Sequence, residues 1–173
     1  PLREVGNQIL NVENLKKTVD GRTLFDKVTF SVNKNEKIAF ISKDPSAVTH
    51  FFDAINEITV ADAGKFEWGT TITKAYLPVE NGEFFTEGLT LMDWLRQYVP
   101  AHVTDADEPF IRGFLGKMLF SGDDIMKKTN VLSGGEKVRC MVSRMMLQNP
   151  NLVILDQPTN HLDLESIQSF NEG

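Results

Sequence analysis

Three short stretches hold residues whose types and spacing could do chemistry. Ser133-Gly134-Gly135-Glu136 precedes a run in which Val138, Met141, Val142 and Met145 fall on one helical face. Two glycines let backbone N–H groups approach a ligand closely. A helix starting there adds its positive end, so the stretch is a candidate anion nest. Asn149-Pro150 breaks that helix, and residues 151–156 read as a buried strand ending in a carboxylate, Asp156. The third stretch, residues 38–52, has the layout of a phosphate-binding loop between a strand and a helix. Its residues do not complete that loop. The pattern of Gly, four residues, then Gly-Lys-Ser/Thr falls on Ser42, then Lys43, Asp44, Pro45 and Ser46, then Ala47-Val48-Thr49.

The elements that must position these residues can be read from periodicity. Residues 7–15 alternate in part and read as a strand. Residues 19–32 carry a turn at Asp20-Gly21, after which Val28, Phe30 and Val32 alternate with polar residues, the mark of a half-buried strand. Residues 37–41 are a short apolar run, expected as a buried strand. In residues 47–58, Val48, Phe51, Phe52 and Ile55 keep helical spacing. Residues 62–69 are a turn entering another strand, and residues 71–78 read as a strand stopped by Pro78. Across residues 90–128 the periodicity is helical, with Pro109 suited to the first turn of its helix. Residues 133–148 form one more helix, whose methionine stripe reads as core packing. No internal repeat or low-complexity segment interrupts this order.

Bulk composition narrows the function classes. The 173 residues suit one domain with a real core. A net charge of −6, from 18 basic and 24 acidic residues, argues against a broad polyanion-binding surface. A single cysteine, Cys140, excludes an internal disulfide and points to a reducing compartment. No apolar run approaches the ~20 residues of a membrane span, and no signal peptide opens the chain. The expected location is therefore cytoplasmic. A first residue of Pro1 is expected of a piece of a longer protein.

In this order and spacing, "VLSGGEKVRC" followed by "LVILDQPTNHLD" resembles the ATP-binding-cassette (ABC) ATPases. The resemblance implies an α/β fold: a P-loop NTPase-like cassette core with an antiparallel β patch and a small helical subdomain at about residues 88–148. The chain as a whole, residues 1–173, would be a partial nucleotide-binding domain, truncated at its C-terminus after the D-loop. It also implies ATP and Mg²⁺ as cofactors. The signature motif is complete at Leu132, Ser133, Gly134, Gly135 and Glu136. Asp156 stands at the Mg²⁺-associated carboxylate of Walker B, and Asn160, His161, Leu162 and Asp163 stand at the D-loop.

Other family positions have changed. Val48 replaces the Walker A lysine, Ser42 and Ala47 replace its glycines, and Pro45 removes a backbone donor. Lys43 reads as a surface lysine. Thr49 survives as a Mg²⁺ ligand position. The adenine-stacking aromatic falls near Thr18 and Val19, and the Q-loop glutamine falls on Val79 between Pro78 and Glu80. Gln157 stands where a glutamate would activate water. In the family, cassettes pair head to tail, so a cassette with a defective loop and an intact signature still completes its partner's site. The sequence "PTNHLDLESI" resembles the soluble ABC-F branch, in particular the second cassette of the YbiT-like or YkpA-like group. That likeness implies a second cassette as partner and the ribosome as the place of action. The alternatives are the cassette of a membrane transporter and a scaffold that binds no nucleotide.

Overall fold

The computed structural model describes residues 6–160. They divide into two compact units. One comprises residues 6–74 and 151–156, the other residues 75–150 and 157–160.

The first unit is built on a long hairpin. Strands β1 (Gln8–Val19) and β2 (Arg22–Asn33) pair antiparallel. The turn between them places Asp20 at φ 50° and Gly21 at φ 78°, the double left-handed geometry that matches strand twist. Strand β3 (Ala63–Trp68) pairs on the other side of β1, giving the order β2-β1-β3. Val12 faces Phe30 on one side and Phe66 on the other. Beside the bulge at Asn14, Gly64 has φ 85°, and a Cβ there would lie 2.4 Å from the Asn14 backbone.

Helix α1 (Pro45–Ile55) buries Phe51, Phe52, Ala54 and Ile55. The Phe51 ring lies 5.8 Å from both Phe25 and Phe30 of β2, so aromatic contacts seat the helix on the strand. Its C-terminal end is closed by side chains. Trp68 Nε1 and Lys74 Nζ donate to the Ile55 carbonyl at 2.8 and 3.2 Å, supplying donors that a helix end lacks. Burial lowers the pKa of Lys74. Strand β5 (Leu152–Leu155) is fixed at its start by Asn151. That side chain donates to the Thr71 carbonyl and accepts from Thr73 N, both at 2.8 Å.

One expected strand does not form. Residues 37–41 carry no strand, with Ile41 94% and Ile38 45% exposed. An apolar run records a tendency to be buried, whereas a strand needs a hydrogen-bonded neighbour. Among the described residues no strand pairs with this segment. It borders instead an open cleft of about 510 Å³ lined by Ile38, Phe40, Ile55, Trp68 and Val153.

The second unit is mainly helical. Strand β4 (Lys74–Leu77) leads into it, covering the core of the expected 71–78 strand. Helix α2 (Leu91–Arg96) is capped by Thr90, whose hydroxyl accepts from Asp93 N at 3.1 Å. Helix α3 (Glu108–Lys117) is capped by Asp107, which accepts from Phe110 N at 2.9 Å, and Pro109 lies in its first turn. Helix α4 (Gly134–Gln148) starts at Ser133 and ends at Asn149 in the left-handed conformation, a common helix stop. Leu91, Leu95, Ile111, Leu115 and Met141 are fully buried. The methionine stripe of α4 is therefore core, as its spacing suggests. Arg144, also on α4, lies 4.3 Å from the Tyr98 ring and 4.7 Å from that of Phe84, a cation held by aromatic faces.

Candidate functional site

The start of α4 leaves two backbone N–H groups open. A helix leaves its first four N–H groups without intrahelical acceptors. Ser133 N donates to Glu136 Oε2 at 2.9 Å, and Glu136 N donates to Ser133 Oγ at 3.3 Å. This reciprocal capping box satisfies two of the four. The remaining two are the N–H groups of Gly134 and Gly135, for which no acceptor stands among the described residues. Gly134 is exposed and Gly135 half-buried. Leu132 is buried and anchors the approach. Glu136 is held well ionised, first by the Ser133 N–H bond and further by Lys127, which reaches it at 3.1 Å. Lys127 also pairs with Asp124 at 2.8 Å, and the two carboxylates raise its pKa. The segment before the cradle is lashed to α2 by Thr129 N to Leu89 O and Leu91 N to Lys127 O.

The start of α1, where the sequence reading expects a phosphate loop, has its backbone donors engaged within the chain. Asp44 is its N-cap and accepts from both Ser46 N at 3.0 Å and Ser46 Oγ at 2.7 Å. Asp44 N donates to Ser42 Oγ at 3.1 Å, and Ala47 N donates to Asp44 O at 3.1 Å. Pro45 has no N–H to offer. All four N-terminal positions are thus used or donorless. The Asp44 carboxylate caps this end of the helix, and Arg22 pairs with it at 2.9 Å. The hydrogen bonds from Ser46 hold that carboxyl below the usual carboxylate range. Val48 lies half-buried and Lys43 is exposed.

One turn into α1, Thr49 lies close enough to Asp156, which follows β5, to lower the pKa of its carboxyl. Asp156 is only 2% exposed. Desolvation raises its pKa, and nearby Asp53 raises it further. Its Oδ2 is buried without a hydrogen-bond partner, an orphaned acceptor of the kind that calls for an explanation. Two oxygen donors and an orphaned carboxylate oxygen suit a hard cation such as Mg²⁺.

Gln157 follows with φ 48°. Its amide oxygen accepts from Asn160 Nδ2 at 2.9 Å, and Asn160 N donates to the Gln157 carbonyl at 3.0 Å. His161, Leu162 and Asp163 lie outside the described residues. The structure therefore brings together Ser133 with Glu136, Thr49 with Asp156, and Gln157 with Asn160. The sequence reading named Glu136 and Asp44 without their capping roles, and it missed Asp53. The Ser-x-x-Glu spacing of a capping box was present in the signature itself. Asp44 carried the Asp-Pro signal of a helix start. Asp53 is four residues beyond Thr49 and shares its helix face.

The chain matches the family described as ABC transporter over residues 25–160. It is 55% identical over 175 residues to YkpA of Bacillus subtilis (strain 168), described as an uncharacterized ABC transporter ATP-binding protein; the match covers 100% of this chain and 32% of that protein. YbiT of Escherichia coli O157:H7, a probable ATP-binding protein, is 35% identical over 94% of this chain and 30% of its own length. The energy-dependent translational throttle protein EttA of Mycobacterium tuberculosis is 29% identical over 96% of this chain and 30% of its own. The chain thus spans about a third of the length of these relatives. A solved dimeric ATP-binding cassette in a post-hydrolysis state, bound to ADP and Pi, superposes with a TM-score of 0.75 at 16% identity; 95% of this chain and 80% of that one are covered. That likeness concerns the fold.

Proposed function

The chain belongs to the ABC transporter family of ATP-binding cassettes, and from that premise we propose that it is the nucleotide-poor cassette of an ABC-F type protein. In this reading it lends its signature to an ATP site completed by a second cassette and leaves its own Walker A unloaded. The contrast between the two helix starts carries the proposal. At α4 two glycine N–H groups stand open. At α1 every N-terminal donor is used or missing, and a carboxylate fills the place.

The division of labour follows from chemistry. Phosphoryl transfer is catalysed mostly by positioning and charge stabilisation. Ser133 Oγ and the N–H groups of Gly134 and Gly135 would cap the γ-phosphate of ATP held by the partner's loop. The Asn160–Asp163 segment would belong to the seam between cassettes. At this chain's own loop, the Asp44 carboxylate repels phosphate, and Val48 offers no charge-assisted bond, which contributes about 1.5–3 kcal/mol elsewhere. Val19 gives adenine no aromatic platform. Gln157 cannot accept a proton from water, and losing a general base typically costs ~10²–10⁴ in rate. Asp156 and Thr49 would hold Mg²⁺, which when bound neutralises charge on phosphate oxygens.

Similarity to a protein named as a translational throttle supports a cytoplasmic role at the ribosome. No helix among the described residues is long and apolar enough to cross a membrane. Isothermal titration of the chain with Mg-ATP should give weak or no binding; a low-micromolar dissociation constant overturns the reading. Sucrose-gradient sedimentation of the full-length protein should place it with ribosomes. Co-purification with a membrane complex instead would favour a transport cassette.

A further inference from the structure

We propose that Arg144, with the rings of Phe84 and Tyr98, is a docking point on the helical unit for a protein segment that carries a carboxylate between apolar side chains. The residues lie away from the open glycine N–H groups. Arg144 is about 15 Å along α4 from Gly134, so this contact is independent of the proposed ATP chemistry.

Arg144 is a half-buried cation without a carboxylate. Its Nε is buried and has no hydrogen-bond partner. Its Nη1 reaches the Met141 sulfur at 3.9 Å, a weak acceptor. Among the described residues no acid pairs with it, and Asp93 of α2 is held by Thr90 and Arg96. Burial lowers its pKa. Buried charges are normally paired. Here the Tyr98 and Phe84 rings compensate in part, at 4.3 and 4.7 Å. An aromatic face attracts the charge but leaves the guanidinium N–H donors without an oxygen acceptor. The rings themselves are fixed. Phe84 lies in the short turn Gly82–Phe85, and its carbonyl accepts from Trp94 Nε1 at 2.6 Å. Trp94 stacks on Phe85 at 4.8 Å and meets the Tyr98 ring edge-on at 5.1 Å. Trp94 is buried, whereas Phe84, Tyr98 and Arg144 are half-buried. The cluster is thus preorganised around a cation whose donors lack an acceptor. Charge complementarity selects the occupant. A guanidinium fork binds a carboxylate through two parallel hydrogen bonds, and the ring surfaces beside it suit apolar neighbours. Arginine and tyrosine are enriched among the anchors of protein interfaces. A phosphate backbone calls for several unpaired cations. This face of α4 offers Arg144 and, two turns earlier, Lys137 over the Phe85 ring, on a chain of net charge −6.

The test uses the chain carrying Trp68→Phe, so that tryptophan fluorescence reports Trp94 alone. The probe is a short end-capped peptide with one glutamate between two leucines, compared with its glutamine twin. The glutamate peptide should give a saturable change, with the twin at least about tenfold weaker, the scale of losing a charge-assisted bond. In the same background, Arg144→Lys should weaken binding by about tenfold, because an ammonium lacks the planar fork. Arg144→Met should abolish the response while leaving the thermal midpoint at or above the parent's, since it keeps an apolar stem and removes an unpaired charge. Arg112→Met should leave binding unchanged, because Arg112 is already paired with Glu108. No response at millimolar peptide overturns the inference and leaves the proposed function standing. Equal responses to the two peptides, or binding that survives both Arg144 variants, also overturn it. Tighter binding of a short single-stranded RNA than of the glutamate peptide overturns the carboxylate partner.

Discussion

Glu136→Ala should destabilise the protein by about 1.5 kcal/mol near neutral pH, and the loss should fade in acid. The substitution removes the acceptor for Ser133 N at 2.9 Å and one of two partners of Lys127. A hydrogen bond to a charged acceptor contributes about 1.5–3 kcal/mol. Ser133 is exposed, so water replaces part of this and the low end applies. The ion pair adds at most a few tenths of a kcal/mol, since Lys127 is about half exposed and keeps Asp124 at 2.8 Å. Glu136 ionises more readily folded than unfolded. Its contribution is therefore complete above the unfolded value of about 4.3 and is lost as pH falls through the lower folded value. Urea unfolding of parent and variant across the range from neutral to about pH 3 reads the difference. Glu136→Gln should fall between them, because its amide oxygen still accepts. A stability gap that is absent at neutral pH, or that stays constant into acid, refutes the capping-box account of α4.

Other substitutions probe the parts that hold the sites. Gly64→Ala should cost at least about 2 kcal/mol, because a Cβ there meets the Asn14 backbone at 2.4 Å in a left-handed conformation; urea unfolding checks it. Leu115→Ala, in the fully buried core of the helical unit, should cost about 2–5 kcal/mol by the same measurement. Cys140 is fully buried and burial pushes its thiol far up, so a thiol reagent should leave the native protein untouched at neutral pH and label it only after unfolding. Asp44→Ala should lower the thermal midpoint by removing the cap of α1, and inorganic phosphate should restore more of it than in the parent.

The start of α4 was legible because Ser133-Gly134-Gly135 stands before a strictly spaced apolar face, and a helix begins there. The strand before Asp156 was legible as a short apolar run ending in a carboxylate, and β5 lies there. The hairpin was announced by Asp20-Gly21. Residues 37–41 misled, because Ile38, Phe40 and Ile41 report apolar character while strand formation depends on a neighbour that sequence periodicity does not name. At the start of α1 the sequence offered only departures from a phosphate-loop pattern, at Ser42, Ala47 and Val48. That Asp44 turns back to take both Ser46 donors depends on a local backbone path, and no residue type by itself specifies it. Asp53 was hidden on the less apolar face of an amphipathic helix. Its effect on the Asp156 carboxyl appears only when β5 brings Asp156 near α1.

The most direct test of the proposed division of labour is ATP turnover by this chain joined to a cassette with a complete phosphate loop, carrying Ser133→Arg or Val48→Lys. A bulky cation at Ser133 blocks the two open glycine N–H groups, and turnover should fall at least about a hundredfold, the scale on which losing a preorganised donor acts. Val48→Lys should change it little, because Asp44 still fills the helix start and Gln157 and Val19 are unchanged. Full turnover in Ser133→Arg together with a strong rise in Val48→Lys would contradict the account.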